Sequence, residues 1–143
     1  MPDQEQERLA AELRATVGLL MRHLRAVSQQ GELTASQRAA LARIDTEGPT
    51  TIAALARAEL VRPQSMRLTI GALEDRGVVR RSPHPTDGRQ VVFSLTEEGR
   101  RMLGEARQAK QNWLAVAIAE RLDPAEQRTL ADAAELLRRL TGE

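Results

Sequence analysis

Hydrogen-bonding side chains between residues 62 and 69 have the types and spacing needed to read the bases of DNA. Gln64 can pair with adenine, and Arg67 with guanine, each through two hydrogen bonds in the major groove. The apolar residues of this segment repeat at helical spacing: Met66, Ile70 and Leu73. We expect this stripe to attach a helix to its domain, with Arg67 on the opposite side. The candidate base-reading residues are Arg62, Pro63, Gln64, Ser65, Arg67, Leu68 and Thr69.

A second group of polar residues surrounds a segment dense in turn formers, residues 82–88. Arg89 follows Gly88, which is expected to permit a tight turn that presents the arginine, and a narrow minor groove attracts such a cation. Asp87 would repel phosphate, so we expect it to hold the loop or to pair with an arginine. The candidate residues of this second DNA contact are Arg80, Arg81, His84, Asp87, Gly88 and Arg89.

Positive charge is concentrated around these two groups. The whole chain has a net charge of +1, but residues 62–89 contain six arginines and only three acidic residues. Arg80 and Arg81 are therefore expected to contact phosphate, although one of them could instead turn inward and pair with Asp87. His84 is expected to be solvated, with a phosphate contact in its protonated form as the alternative.

Composition argues against several other functions. The chain has no cysteine, which excludes disulfides and thiolate ligands, and its two histidines stand in different contexts. No Ser-His-Asp arrangement, nucleotide-binding glycine loop or HExxH motif is present, so we predict no enzymatic activity, no cofactor and no metal. Two aromatic residues are too few to stack single-stranded bases. No signal-peptide pattern or long apolar run is visible, so we expect a cytoplasmic protein without a membrane partner.

Hydrophobic periodicity predicts six helices and one hairpin. A long helix covers residues 5–29, and Gly31 follows as a stop signal. The second helix begins at a cap on Thr34 or Ser36 and stops at Gly48. A cap on Thr50 or Thr51 opens the third helix, residues 52–59, and the fourth covers residues 63–76, with Gly77 as its stop. Strands are predicted at 78–81 and 90–95, followed by helices at 97–121 and 124–140 that are capped by Thr96 and Asp123.

The predicted fold is therefore mostly α with a small β-hairpin wing. A winged helix-turn-helix is flanked by N- and C-terminal dimerisation helices. We expect an N-terminal dimerisation helix in residues 1–33, a DNA-binding domain in 34–99 and C-terminal dimerisation helices in 100–143.

Four stretches of this sequence resemble the MarR family of bacterial transcription regulators. Residues 51–56 read TIAALA, 73–81 read LEDRGVVRR, 87–89 read DGR and 95–99 read LTEEG. The resemblance implies an obligate dimer that binds a palindromic operator and represses a nearby gene, often until a small ligand relieves repression. Leu68 departs from the family pattern, since many relatives have a polar or basic residue there. Arg67 is the candidate for that basic role.

Apolar stripes in the terminal helices support the dimer. The first helix has Leu9, Leu13, Val17, Leu20, Leu24 and Val27, and the last has Leu130, Ala134, Leu137 and Leu140. Pairing with a second copy would bury both stripes and separate two recognition helices by about 34–36 Å, one turn of B-DNA. The alternative is that both stripes pack within one chain.

A small aromatic or anionic effector is a further candidate partner, because the resemblance implies a ligand crevice beside the dimer helices. Met21, His23, Arg25 and Trp113 are the candidate ligand-binding residues, with interface and core packing as the alternative. The sequence thus predicts a homodimeric, sequence-specific regulator that binds double-stranded DNA. A winged-helix protein–protein interaction module that does not bind DNA is the alternative function.

Overall fold

The computed structural model describes residues 1–28 and 33–142. The predicted helix end at Gln29 and the stop signal at Gly31 lie outside the described residues. Within these ranges six helices and a two-stranded antiparallel sheet follow one another as predicted. They are α1 (Gln4–Ser28), α2 (Ala35–Glu47), α3 (Ile52–Glu59), α4 (Pro63–Asp75), β1 (Val79–Pro83), β2 (Val91–Leu95), α5 (Glu97–Arg121) and α6 (Pro124–Leu140).

Side-chain caps explain where several of the helices begin, including α5, where Thr96 accepts from the Gly99 N–H as predicted. Thr34, rather than Ser36, caps α2, and Thr51, rather than Thr50, caps α3. Asp123 caps α6, and in each case the cap accepts a hydrogen bond from the backbone N–H three residues later. Such bonds satisfy donors that the helix itself leaves unpaired. The Gly77 stop after α4 is also confirmed, with a φ of 73° that favours glycine.

The chain forms two compact units, Met1–Ser28 with Gln108–Glu143 and, separately, Gln29–Arg107. The second unit contains the buried core, where α2, α3 and α4 pack together with the hairpin. Its largest fully buried side chains are Leu41, Ile44, Leu55, Ile70, Leu73 and Val78. Each of these stabilises the unit by about 1.5–3 kcal/mol through burial of its apolar surface. This core fixes the position of α4 relative to the hairpin.

In the hairpin, both strands begin one residue later than the sequence predicts, and β1 extends two residues further towards the tip. Val79 pairs with Leu95 at one end of the ladder and Pro83 with Val91 at the other. Ser82 and Pro83, predicted as part of the turn, therefore belong to β1. A proline is tolerated there because β1 is an edge strand whose outer side needs no N–H donor.

Thr50 adds an isolated bridge that the sequence analysis missed. Its N–H donates to the Phe93 carbonyl over 3.1 Å, and the Phe93 N–H donates back to Thr50 over 2.8 Å. The sequence predicts this residue only as a candidate helix cap. The bridge ties the segment before α3 to β2, so that the hairpin is fastened to the helix-turn-helix by main-chain bonds as well as by its core side chains.

The unit formed by the chain termini has a different character. None of the residues of α1 or α6, all of which the structure describes, is buried. Several large apolar side chains on these two helices are strongly exposed, among them Leu9, Leu19, Leu136 and Leu140. Over residues 1–28 and 33–142, no helix combines the length and apolar character that crossing a bilayer requires.

Candidate nucleic-acid interface

The recognition helix α4 has one buried stripe and one solvent-facing side. Met66, Ile70 and Leu73 are buried, as predicted. Because each residue turns an α-helix by about 100°, Gln64 and Leu68 lie opposite this stripe. Leu68 is 75% exposed. The helix begins at Pro63, which tolerates the first turn because its missing N–H would have no partner there.

Arg67 lies beside the buried stripe rather than opposite it, which corrects the sequence-based placement. Arg67 follows Met66 directly, so its side chain is turned only about 100° around the helix from that of Met66, towards the hairpin. There the exposed Arg67 lines a cavity of about 370 Å³ together with Glu74, Arg81 and Phe93. Arg67 can therefore approach a duplex from the edge of α4 that faces the wing.

Ser65 and Thr69 lie on the other edge of α4. Ser65 is exposed and Thr69 is half-buried. The Thr69 hydroxyl donates to the Ser65 carbonyl over 3.2 Å, a bond inside the helix. The Thr69 oxygen can still accept a hydrogen bond from DNA. The Ser65 hydroxyl can both donate and accept.

Arg81 joins the wing to the recognition helix. Its Nε and Nη2 donate to the two carboxylate oxygens of Glu74 over 2.8 and 2.7 Å. The guanidinium carbon also lies 5.6 Å from the centre of the Phe93 ring, within range of a cation–π contact. The paired arginine of the wing base is thus Arg81, but its acid is Glu74, its side chain stays 63% exposed, and the proposed pairing with Asp87 is wrong. Arg80 is also exposed.

This ion pair should make the stability of the wing depend on pH. The Arg81 hydrogen bonds hold the pKa of Glu74 below its ordinary value of 4.5. A carboxylate with a lowered pKa stabilises the folded state above about pH 4.5, and this contribution is lost as the pH falls through the lowered pKa. Glu74→Gln is expected to lower the melting temperature at neutral pH by at most a few degrees, since the pair is partly exposed.

Thermal denaturation of the wild-type and Glu74→Gln proteins at pH 7 and in strong acid tests this expectation. The difference in melting temperature should be present at pH 7 and absent in acid. Asp75→Asn, which changes an exposed acid next in the sequence, is the matched control. A difference that is the same at both pH values would mean that the glutamine acts through packing and not through charge.

The tip of the wing is held by His84 and Asp87. Nδ1 of His84 accepts hydrogen bonds from the backbone N–H groups of Thr86 and Asp87, over 3.2 and 3.1 Å. The half-buried ring is therefore part of the loop, which corrects the expectation of a solvated histidine. The Asp87 carboxylate accepts from the N–H of Arg89 and from the side chain of Gln90. Its predicted role in holding the loop is confirmed.

Gly88 does not have the role that the sequence analysis gave it. Its φ is not positive, and a Cβ atom placed there would meet nothing within 4 Å. The turn is instead held by the Asp87 and His84 hydrogen bonds. Arg89, next to it, is exposed.

Some arginines of the winged unit form ion pairs within the protein, whereas others are free to contact the phosphates of DNA. Within residues 1–28 and 33–142, Arg62, Arg67, Arg80 and Arg89 form no ion pair, and all four are exposed. Arg62 lies at the start of α4 and Arg67 on its flank. Arg80 lies at the wing base and Arg89 at the wing tip. The winged unit thus carries unpaired arginines on both elements that could enter DNA grooves.

Comparison with known proteins identifies the family. The family model described as "MarR family" matches residues 33–91. An uncharacterized HTH-type transcriptional regulator from Mycobacterium bovis is 43% identical over 136 residues, which cover 95% of this chain and 94% of that protein. This chain belongs to the MarR family.

Solved structures agree with this membership. A protein from Pseudomonas aeruginosa superimposes with a TM-score of 0.82 at 35% identity, covering 98% of both chains. A mutant of Staphylococcus aureus MepR bound to an oligodeoxyribonucleotide shares the fold, with a TM-score of 0.70 at 17% identity over 92% of this chain and 97% of that one. MarR-family proteins are DNA-binding transcription regulators and not enzymes.

In this MarR-family chain two of the four candidate effector residues meet. The rings of His23 and Trp113 are stacked, with centroids 5.9 Å apart and planes inclined by 10°. Trp113 is half-buried and His23 exposed, and both belong to the unit of the chain termini. Met21 and Arg25 are exposed on the same helix as His23. The cavity in the winged unit involves none of these four residues.

Proposed function

We propose that this MarR-family regulator acts as a homodimer on a palindromic operator, with α4 of each copy in the major groove and Arg89 of each wing in the flanking minor groove. The observation that carries the proposal is the placement of unpaired, exposed arginines on both α4 and the wing of one compact unit. Arginine forks suit phosphate and guanine, and a narrow minor groove attracts an inserted arginine.

The exposed apolar surface of the terminal helices supports the dimer. Leu136 is 56% exposed and Leu140 is 74% exposed, one turn apart on α6. Leu9 and Leu19 on α1 are more than half exposed as well. Apolar surface of this extent commonly marks a protein–protein interface, and a second copy of the same chain supplies a matching surface by symmetry.

The proposed regulatory outcome is repression of a nearby operon that a small ligand relieves. A dimer seated on an operator blocks access to the same DNA, and a ligand can release it only by binding the free form more tightly. The stacked His23–Trp113 pair offers a flat surface to an aromatic or anionic effector. Arg25, two residues further along the same helix, lies about 200° around it from His23 and so faces another side. Because its target is genomic DNA, the proposed location is the cytoplasm.

Unbiased selection of genomic fragments by the purified protein tests this function. Recovered fragments should share a palindrome, and nuclease footprinting should protect both halves. We expect the centres of the two half-sites to be about one helical turn of DNA apart, 10–10.5 base pairs. Absence of any enriched duplex, together with retained binding to a protein partner, would instead favour an interaction module.

Arg89→Ala should weaken binding to all sequences. Loss of a minor-groove cation from each wing is expected to cost roughly 1–3 kcal/mol per dimer. It should also reduce the dependence of log Kd on log salt by up to about two, since two phosphate-proximal charges are lost. Gel shifts at several salt concentrations measure both quantities.

The charge-matched control is Arg128→Ala, which removes an exposed arginine from α6, outside the winged unit. Its salt dependence should equal that of the wild-type protein. An unchanged slope in Arg89→Ala would contradict the assignment of the wing tip to DNA.

A further inference from the structure

One large apolar side chain stands in the middle of the solvent-facing side of α4. Leu68 is 75% exposed, and it lies opposite Met66, Ile70 and Leu73, which hold the helix in the core. Packing within this unit therefore does not account for a leucine here. Gln64, one turn earlier on the same side, is exposed and polar.

The chemistry of the major groove supplies an apolar partner. Among the base edges exposed there, only thymine carries an apolar group, the C5 methyl, and the other groups are hydrogen-bond donors and acceptors. A leucine pressed against a donor or acceptor would remove its water without replacing the hydrogen bond, which is unfavourable. Burial of a methyl against Leu68 is favourable in proportion to the apolar area removed from water.

We propose that Leu68 is a specificity-determining residue that contacts a thymine methyl in each half of the operator. The inference rests on the proposed function, since it requires α4 to lie in the major groove. Gln64 lies four residues before Leu68, or about 6 Å along the helix. That distance is nearly two base-pair steps of 3.4 Å, so an adenine read by Gln64 should lie within two base pairs of this thymine.

Deoxyuridine tests the contact because it differs from thymidine only by the missing methyl. In the operator defined by footprinting, each thymine is replaced in turn at equivalent positions of both halves, and Kd is measured by fluorescence anisotropy. At one position the replacement should weaken wild-type binding about fourfold per half-site, the effect of one buried methyl-sized group. Leu68→Ala should bind the thymine and deoxyuridine operators equally at that position, whereas Leu68→Met, which keeps an apolar side chain, should retain discrimination.

The matched control is Leu60→Ala, which removes another exposed leucine of the same unit and should leave the thymine-to-deoxyuridine ratio unchanged. Equal melting temperatures of Leu68→Ala and wild type would show that the substitution leaves the fold intact. If the wild-type protein binds no palindromic duplex, the proposed function and this inference both fail. If it binds but no thymine shows a methyl effect that depends on Leu68, only this inference is overturned.

Discussion

Gly99→Ala is expected to destabilise the winged unit by about 3 kcal/mol, although alanine is the better helix former. A Cβ atom on Gly99 would lie 2.2 Å from the carbonyl oxygen of Val78 and 3.2 Å from its carbonyl carbon. These are backbone atoms of the residue just before β1, so no side-chain rotation can relieve the overlap. Insertion of atoms into a packed interior costs about 1–3 kcal/mol, and more where the obstacle is rigid.

The surrounding hydrogen bonds make this approach difficult to relax. The Thr96 N–H donates to the Val78 carbonyl over 3.1 Å, and the Thr96 hydroxyl donates to the Gly77 carbonyl over 2.6 Å. The same hydroxyl accepts from the Gly99 N–H and so caps α5. A shift that makes room for a methyl group at Gly99 must strain or break these bonds, because they hold the start of α5 against the Gly77–Val78 corner.

Gly104→Ala, in the same helix, is the matched control. Nothing lies within 4 Å of a Cβ atom at Gly104, so alanine should stabilise the protein by about 0.5–1 kcal/mol through helix propensity alone. Thermal and urea denaturation followed by circular dichroism should therefore give changes of opposite sign, with a melting temperature about 10 °C or more lower for Gly99→Ala. Equal stability of the two variants would refute the steric explanation.

The difference between Gly99 and Gly88 shows what a motif leaves unexplained. Both belong to stretches on which the family resemblance depends, yet only Gly99 is held by a close approach of two backbones. That approach joins residues 78 and 99, which are distant in sequence, so no local pattern indicates it. The turn-forming role expected of Gly88 came from its neighbours in sequence, and the structure gives that role to the hydrogen bonds of His84 and Asp87.

Helix positions could be predicted well because the relevant physics is local. Caps on Thr34, Thr51 and Asp123 depend on residues three positions apart, and the buried stripe of α4 follows from a 3.6-residue period. The pairing of the two strands was harder to predict, because the pairing of Pro83 with Val91 depends on which residues face each other across the loop. The Thr50 bridge is a single non-local pair and leaves no periodic signal.

Some features of the candidate site could be predicted from the sequence and others could not. The buried side of α4 was predictable, but Arg67 was placed opposite Met66 although adjacent residues on a helix differ by only about 100°. A helical projection of the same sequence would have assigned that side to Gln64 and Leu68. The sequence analysis did not predict Glu74 as the partner of Arg81, because a turn separates the two residues. Their opposite charges on either side of Gly77 were the feature that could have indicated the ion pair.

The substitutions Leu136→Glu and Leu140→Glu together are expected to convert the protein to a monomer. Both side chains are mostly exposed in one chain, at 56% and 74%, so replacing them should cost the isolated chain little. In the proposed dimer the same positions are covered by the partner, and burial of unpaired carboxylates there costs several kcal/mol. Sedimentation or light scattering over a concentration series measures the change in mass.

Loss of the dimer should reduce operator affinity by at least about 100-fold, because the second half-site then binds as an independent event instead of an intramolecular one. A duplex with a single half-site supplies the internal control, since a monomer with an intact winged unit should bind it as the wild-type protein does. Arg128→Gln with Arg139→Gln makes the same change in net charge at positions of α6 that are already charged, and should stay dimeric. If the double-glutamate variant keeps both its dimeric mass and its operator affinity, the exposed leucines of α6 do not form the interface. If it becomes monomeric without losing affinity for the palindrome, recognition does not depend on the symmetric pair.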